Sequence, residues 1–188
     1  MHQPYGRVAG SRAVTSRRLR TTTFASREEL ADALQSLFVA ELLRPSTPMW
    51  IVTPWISDVH VVDNRTGRFS GLMPDMPRRQ LRLCETLVEI LMRGGKVVLA
   101  CRPIDHNRPF TERLVELAKE HGVGRNVLVN EASELHEKGI LTRALLLHGS
   151  MNITYNGLRN LEEAVVLTTD PDDVTRTRHA YEDRWGCP

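Results

Sequence analysis

The sequence predicts a mixed α/β fold, a sheet sandwiched between flanking helices, and three observations carry that reading. Short apolar runs of strand character alternate with amphipathic stretches through the first two thirds of the chain. In the last third the strands follow one another closely, as they do in hairpins, which makes the sheet mixed rather than wholly parallel. A length of 188 residues with a hydrophobic fraction of 41% suits one core, and therefore a single domain.

Residues 1–25 carry Arg7, Arg12, Arg17, Arg18 and Arg20 and no acid, a charge of +5, while the remainder holds 20 basic and 23 acidic residues. This stretch reads as a basic, flexible N-terminal arm, either simply solvated or suited to a phosphate backbone, with the domain proper over 26–188. Ser26, with Glu29 three residues on, forms a capping box. It opens a helix to about Leu43, whose apolar stripe is Leu30, Leu34, Leu37, Phe38 and Leu42. Pro45 and Pro48 end it. Met49 to Val52 reads as a buried strand and Thr53 to Asp58 as its exit, with Trp55 placed either to stack on a base or to close the core. The Pro- and Gly-bearing stretch 57–77, which includes Asn64 to Arg68, reads as a long loop, functional or disordered.

A helix over about 78–93 buries Leu81, Cys84, Leu87, Val88 and Leu91 and stops at Gly94 and Gly95. A strand over 96–100 leads into a polar loop whose Arg102, His106 and Asn107 form a candidate substrate-binding cluster, beside the plainer reading as an ordinary loop. There follow a helix at about 110–121, a strand at 126–129, and a strand bearing His136 and Lys138. The rest reads as a partner strand at 144–148, a helical turn near 153–158, a strand at 163–168, and a helix from Pro171 to about Arg184.

Several classes of function fall away. No apolar run reaches membrane-spanning length, and the N-terminal stretch lacks the apolar segment of a secretory signal. Cys84, Cys101 and Cys187 are odd in number and lack metal-site spacing, which fits reduced thiols in a cytoplasmic protein. Neither an internal repeat nor a low-complexity tract is present.

The chemistry concentrates in His136-Glu137-Lys138 and, after a ten-residue gap, Gly149-Ser150-Met151-Asn152. An imidazole can attack phosphorus or donate a proton. A lysine two positions along an extended strand points the same way and can share the same phosphate. Gly149 permits close backbone approach, and the Ser150 and Asn152 side chains can donate to non-bridging oxygens. Ser150 also suits a plain turn and Asn152 a helix cap. Glu162 and Glu163 are the candidates for orienting His136; on a strand only one can face it, and Glu163 is favoured. His148 reads as a packing residue at a strand end, and His2, His60, His121 and His179 as surface or loop residues.

Residues 135–163, LHEKGILTRALLLHGSMNITYNG and the glutamates beyond it, resemble the HKD motif of the phospholipase D superfamily. That pattern is HxK, four residues, Asp, a short strand, GSxN and a later Glu. The chain matches at His136, Lys138, Gly149, Ser150 and Asn152 and departs at the Asp position, where Arg143 stands. The resemblance implies a phospholipase D-like sandwich and a phosphodiesterase that needs no metal or other cofactor. It implies a nucleophilic His136, phosphate contacts from Lys138, Gly149, Ser150 and Asn152, and a glutamate (Glu163 or Glu162) on the histidine, while His106 stays a substrate-binding candidate from its loop alone. Since the family's chemistry uses two HxK sites and this chain has one, it also implies a homodimer sharing one site. DNA or RNA is the expected substrate, with lipid a weaker one because no basic amphipathic membrane helix is evident. The alternative is a non-catalytic subunit that holds a phosphate or nucleic acid. TPWISD, DNRTGRF and HGSMNITYNG further resemble phospholipase D-like components of bacterial 7-deazapurine DNA-modification and phage-defence clusters, which implies other subunits as partners.

Overall fold

The computed structural model describes residues 15–188. In chain order the elements are β1 (Ser16–Arg20), α1 (Phe24–Leu43), β2 (Met49–Val52), β3 (His60–Asp63), β4 (Gln80–Arg82), α2 (Leu83–Met92), β5 (Val97–Cys101), α3 (Arg108–Glu120), β6 (Val127–Glu131), β7 (Gly139–Leu141), β8 (Leu146–Gly149), α4 (Tyr155–Arg159), β9 (Ala164–Thr168) and α5 (Pro171–Trp185). Seven strands form one sheet in the order β1-β9-β8-β7-β2-β5-β6, and β3 pairs with β4 in a separate hairpin.

The most apolar runs, β2 and β5, lie parallel at the centre and are buried along their whole length. A strand covered on both faces shows no polar alternation, which is why the two runs read as continuous. Their side chains divide between two cores. Met49, Ile51, Val97 and Leu99 meet α1, α2 and α3 on one face. Trp50, Val52, Val98 and Ala100 meet Val174, Tyr181 and Trp185 of α5 on the other. Truncating the fully buried Trp50 to alanine would cost on the order of 3–5 kcal/mol. On the far side of β2 the pairing turns antiparallel, from β7 through β8 and β9 to β1. The expected mixed sandwich is therefore present, and the chain changes from parallel to antiparallel pairing at β2.

Five local expectations need correction. The flexible arm does not extend to residue 25: Ser16–Arg20 is an edge strand on β9, and α1 begins at Phe24, while Arg7 and Arg12 lie outside the described residues. Strand pairing continues to Thr21, whose N–H donates to Glu163 O at 3.0 Å, so the chain turns at Thr22 and Thr23 is the first residue free to cap. Its hydroxyl accepts from Ser26 N at 3.2 Å, and Ser26 serves as its capping-box partner rather than as the cap. The 57–77 stretch is ordered around the buried Asn64. That amide donates to Met76 O and Pro77 O at 3.2 Å each and accepts from Phe69 N at 3.1 Å. Leu81 is buried as expected but belongs to β4, because pairing with β3 keeps 80–82 extended and delays α2 to Leu83. Finally, His136 and Lys138 sit in the loop before β7, not on a strand, so period-two alternation does not apply to them.

Candidate active site

Four chain segments leave the sheet at one end: 53–56 after β2, 102–107 after β5, 132–138 before β7, and 150–154 after β8. This is the carboxyl end of the parallel strands, at the strand where the pairing direction changes, and open α/β sheets bind ligands at such points. The groove there measures about 860 Å³ and is lined by Trp55, His136, Lys138, His148, Ser150 and Asn152, with Asp173, Arg176 and Tyr181 of α5 as its opposite wall. A second cavity of about 470 Å³, between α1 and the β3–β4 hairpin, holds none of the motif residues, and its Arg65 and Arg159 are already paired with Asp63 and Glu28.

Gly149 closes the β7–β8 hairpin onto β9. Its φ of +152° and a backbone carbonyl, Ala164 O, where a Cβ would stand both exclude a side chain. The close approach expected of this glycine is thus to the protein's own backbone. Ser150 N donates to Ala164 O at 3.0 Å, and the Ser150 hydroxyl bridges Ala164 N and the carboxylate of Glu163. Glu163 is buried at 7% exposure and is held from behind, since its N–H donates to Thr21 Oγ1 at 2.7 Å. The expected partnership of Glu163 with His136 is replaced by this bond to Ser150. Among the described residues no hydrogen bond reaches the His136 ring, which stands exposed at the groove. Glu162 points to solvent and takes no part.

Lys138 is half-buried and folds back to donate to His136 O at 2.6 Å. Burial pushes its ammonium below the ordinary lysine range; the Glu163 carboxylate opposes that shift and the nearby Arg102 adds to it. Asn152 is not a helix cap. Thr154 caps α4, accepting from Gly157 N at 3.1 Å, and Asn152 Oδ1 instead accepts from Thr53 Oγ1 at 3.3 Å, which leaves its amide N–H free to face the groove. The loop bearing His136 is tied at two points. Tyr181 Oη donates to Glu137 Oε1 at 2.9 Å, and Arg102 Nε donates to Leu135 O at 2.7 Å. Gly139 is required because a Cβ would come within 2.8 Å of Tyr181 Oη.

The polar loop after β5 divides unexpectedly. Arg102 stacks over Trp55 at 5.7 Å and approaches Lys138, so it belongs to the site. His106 bonds Ser57 Oγ at 3.0 Å and does not line the groove. Asn107 is buried and clamps the exit of β2, donating to Pro54 O at 2.8 Å and accepting from Ile56 N at 2.9 Å. Trp55, 43% exposed, forms a rim of the groove rather than part of the core. His148 was expected to pack; it is exposed and shares the groove with His136. Strand register could have found it, because β8 pairs His148 with Gly139, which offers no side chain to cover it. Nothing in the sequence pointed to Tyr181 or Arg176, which reach the groove only through the docking of α5.

Arg143 lies at the other end of the same hairpin, about 15 Å of strand from Lys138. Its N–H donates to Ser46 Oγ at 2.7 Å and its guanidinium reaches Arg44 O at 3.3 Å, well away from the groove. What remains in the groove can bind and polarise an anion. Lys138 and the Asn152 amide can hold two oxygens, and an exposed imidazole can attack or protonate between them. Among the described residues no group of three or more His, Cys, Asp or Glu is placed to hold a metal ion. Cys84 and Cys101 are core residues whose thiols burial pushes up to about 12 and about 11, so neither is a nucleophile. No helix among the described residues is long and apolar enough to cross a membrane.

Comparison with known proteins agrees with the fold. The fold is similar to NucT from Helicobacter pylori (12% identity, TM-score 0.53, 89% of this chain and 94% of that one). It is similar to Nuc, a phospholipase D family member from Salmonella typhimurium (16% identity, TM-score 0.55, 92% and 95%). It is also similar to TrmBL2, an archaeal chromatin protein that binds DNA (10% identity, TM-score 0.51, 93% and 53%). No curated protein matches the chain in sequence. Residues 66–185 match the family described as "Cardiolipin synthase, PLD-like domain". That span is well over half of the chain and contains both halves of the motif around the groove, so the protein belongs to the phospholipase D-like family.

Proposed function

We propose that the protein is a metal-independent phosphodiesterase acting on nucleic acid, DNA or RNA, at a site completed by a second copy of the chain. The observation that carries this reading is the exposed, unbonded His136 ring in an open groove beside Lys138, His148 and Asn152. His136 attacks phosphorus and forms a phosphorus–nitrogen bond as the bond to the leaving oxygen breaks. His136 of the partner subunit protonates that oxygen and then takes a proton from the water that releases the phosphohistidine. Lys138 and Asn152 stabilise the charge that develops on the non-bridging oxygens. The groove is open and lined by Lys138, Arg176 and the Trp55 ring, which suits a polyanion with stackable bases better than an acyl chain. A place in a cytoplasmic DNA-modification or defence assembly is part of the proposal, motivated by the segments at 53–58, 63–69 and 148–157.

A binding-only subunit is the second reading. It is favoured by one observation: Glu163 bonds Ser150 and leaves the His136 ring without a carboxylate. A cleavage screen in excess EDTA separates the two. The substrates are modified and unmodified DNA, RNA and phosphatidylcholine, with His136→Ala as control. Turnover of a polynucleotide by the wild type alone supports the enzyme. Binding without turnover supports the second reading, and activity that returns only with Mg²⁺ sinks the histidine mechanism. Light scattering should give a mass near twice 21.3 kDa; a fully active monomer would refute the shared site.

A further inference from the structure

The nucleic-acid reading above leaves open how a long substrate is held beyond the scissile phosphate. We propose that the uncovered sheet face of β8, β9 and β1 is the track for the polynucleotide backbone, with Arg18 and Arg20 as its phosphate contacts. The inference rests on that reading and adds a surface to it.

Register places the two arginines. Arg18 pairs with Val166, and Val166 pairs with His148, so the three form one row across the sheet. Arg20 pairs with Ala164, whose carbonyl accepts from Ser150 N. Residues directly opposite in a ladder share a face, so Arg18 and Arg20 stand on the face of His148. At about 4.8 Å per strand the Arg18 backbone lies roughly 10 Å from that of His148, and Arg20 about as far from Ser150.

Helix α5 leaves this face open. It covers Trp50, Val98 and Leu141 and reaches Leu146, but His148, Ala164, Arg18 and Arg20 are all exposed. The intervening residues alternate to the other side: Leu19 enters the core beneath α1, and Arg17 pairs with Glu29. Among the described residues Arg18 and Arg20 have no ion-pair partner. They extend the positive charge of Lys138 in the groove and of Arg102 beside Trp55, whereas Arg176 on the opposite wall is paired with Asp173 at 3.5 Å. From Thr53 at the end of β2 to β1 the path crosses four strand spacings, about 19 Å. At about 3.4 Å of rise per nucleotide this accommodates roughly six nucleotides. Charge complementarity and continuity with the groove therefore favour a phosphate backbone as the occupant.

The test uses the full chain with His136→Ala, so that a bound oligonucleotide persists. Binding of labelled single-stranded DNA of about twelve nucleotides, twice the length of the track, is followed by anisotropy across a salt series. Arg18→Ala/Arg20→Ala should weaken binding at least tenfold at low salt and reduce the slope of log K against log salt by about 1.4, or about 0.7 per lost contact. Arg17→Ala, on the opposite face, is the control. In chains that retain His136, the double substitution should also lower activity on long oligonucleotides relative to bis(4-nitrophenyl) phosphate. Equal slopes in the double variant and the control overturn the track. So does a double variant that becomes monomeric with its slope intact, because a second copy then covers the face. If the wild type hydrolyses the small diester but does not bind the oligonucleotide, the track and the nucleic-acid substrate fail while the phosphodiesterase stands. If the oligonucleotide binds with the expected slope loss but is not cleaved, the track stands and the catalytic reading fails.

Discussion

The two ends of the β7–β8 hairpin are built on opposite principles. At the groove end, His136 is exposed without a ring partner, Lys138 bonds only its own loop, and the Asn152 amide N–H is free. At the turn end a network of hydrogen bonds engages Glu41, Ser46, Arg143 and Arg178. Glu41, 5% exposed, accepts from Ser46 N at 2.7 Å and Ser46 Oγ at 2.9 Å, and Ser46 Oγ in turn accepts from Arg143 N. Arg178 closes the turn by donating to Thr142 O at 3.1 Å and Arg143 O at 2.9 Å. Groups left unpaired in an open site are available to a ligand, whereas a saturated buried network only specifies packing. The arginine that interrupts the family's pattern falls at the packing end, where a buried carboxylate on α1 supplies the acid. The motif therefore divides into a half with unpaired polar groups at the groove and a half bound up in packing, and the substitution touches the second.

The sharpest way to break this comparison is His136→Ala. Activity should fall by about 10⁴ or more, while Tm moves by less than about 2 °C because the ring is exposed. Retained activity would mean that the groove end is not the chemical one. Next is Glu163→Gln, expected to cost about 10²-fold through loss of the hold on Ser150. It carries a pH signature with a fixed sign. Glu163 opposes the depression of Lys138, so its removal lowers the Lys138 pKa further and the Lys138 titration followed by NMR must move to lower pH. A titration that stays in place, or moves up, would show that Glu163 does not act on Lys138.

Restoring the family residue with Arg143→Asp should destabilise the fold by about 1–2 kcal/mol and change kcat less than about twofold, because it sets a second carboxylate near Glu41. Adding Glu41→Gln should recover the loss. A large gain in activity on restoring Asp would erase the division between the two ends. The smallest effect concerns Glu41 alone. Burial raises its pKa above the ordinary carboxylate range, with the Ser46 bonds and Arg143 partly offsetting this. A folded pKa above the unfolded one gives stability that is present in acid and lost as pH rises through the folded value. Melting curves of Glu41→Gln should therefore gain on the wild type as pH rises from about 4 to 7, by less than about 3 °C. An advantage that shrinks with rising pH would contradict the direction of the shift.

Much of this was legible in the residues alone. The runs at 49–52 and 96–100 read as strands, and the structure bears both out at the centre of the sheet, where apolar side chains pointing both ways find cover on both faces. The glycine at 149 and the HxK and GSxN spacings singled out residues that the structure places around the groove, since local backbone limits and side-chain chemistry are written in residue type. Other features depend on partners far along the chain. Arg17, Arg18 and Arg20 looked like a solvated arm because nothing local indicates that β9, some 150 residues later, supplies the hydrogen bonds that make them a strand. Glu163 was attached in sequence to His136, but Thr21 and Ser150 hold it elsewhere. His106 and Arg102 are equally polar and four residues apart, and only the direction in which the loop leaves β5 puts Arg102 over Trp55 at the groove's edge and His106 against Ser57. Composition and periodicity thus determined the layers, the central strands and the chemical groups. The tertiary structure decided which groups meet, because register and helix docking are set by long-range burial that no local pattern encodes.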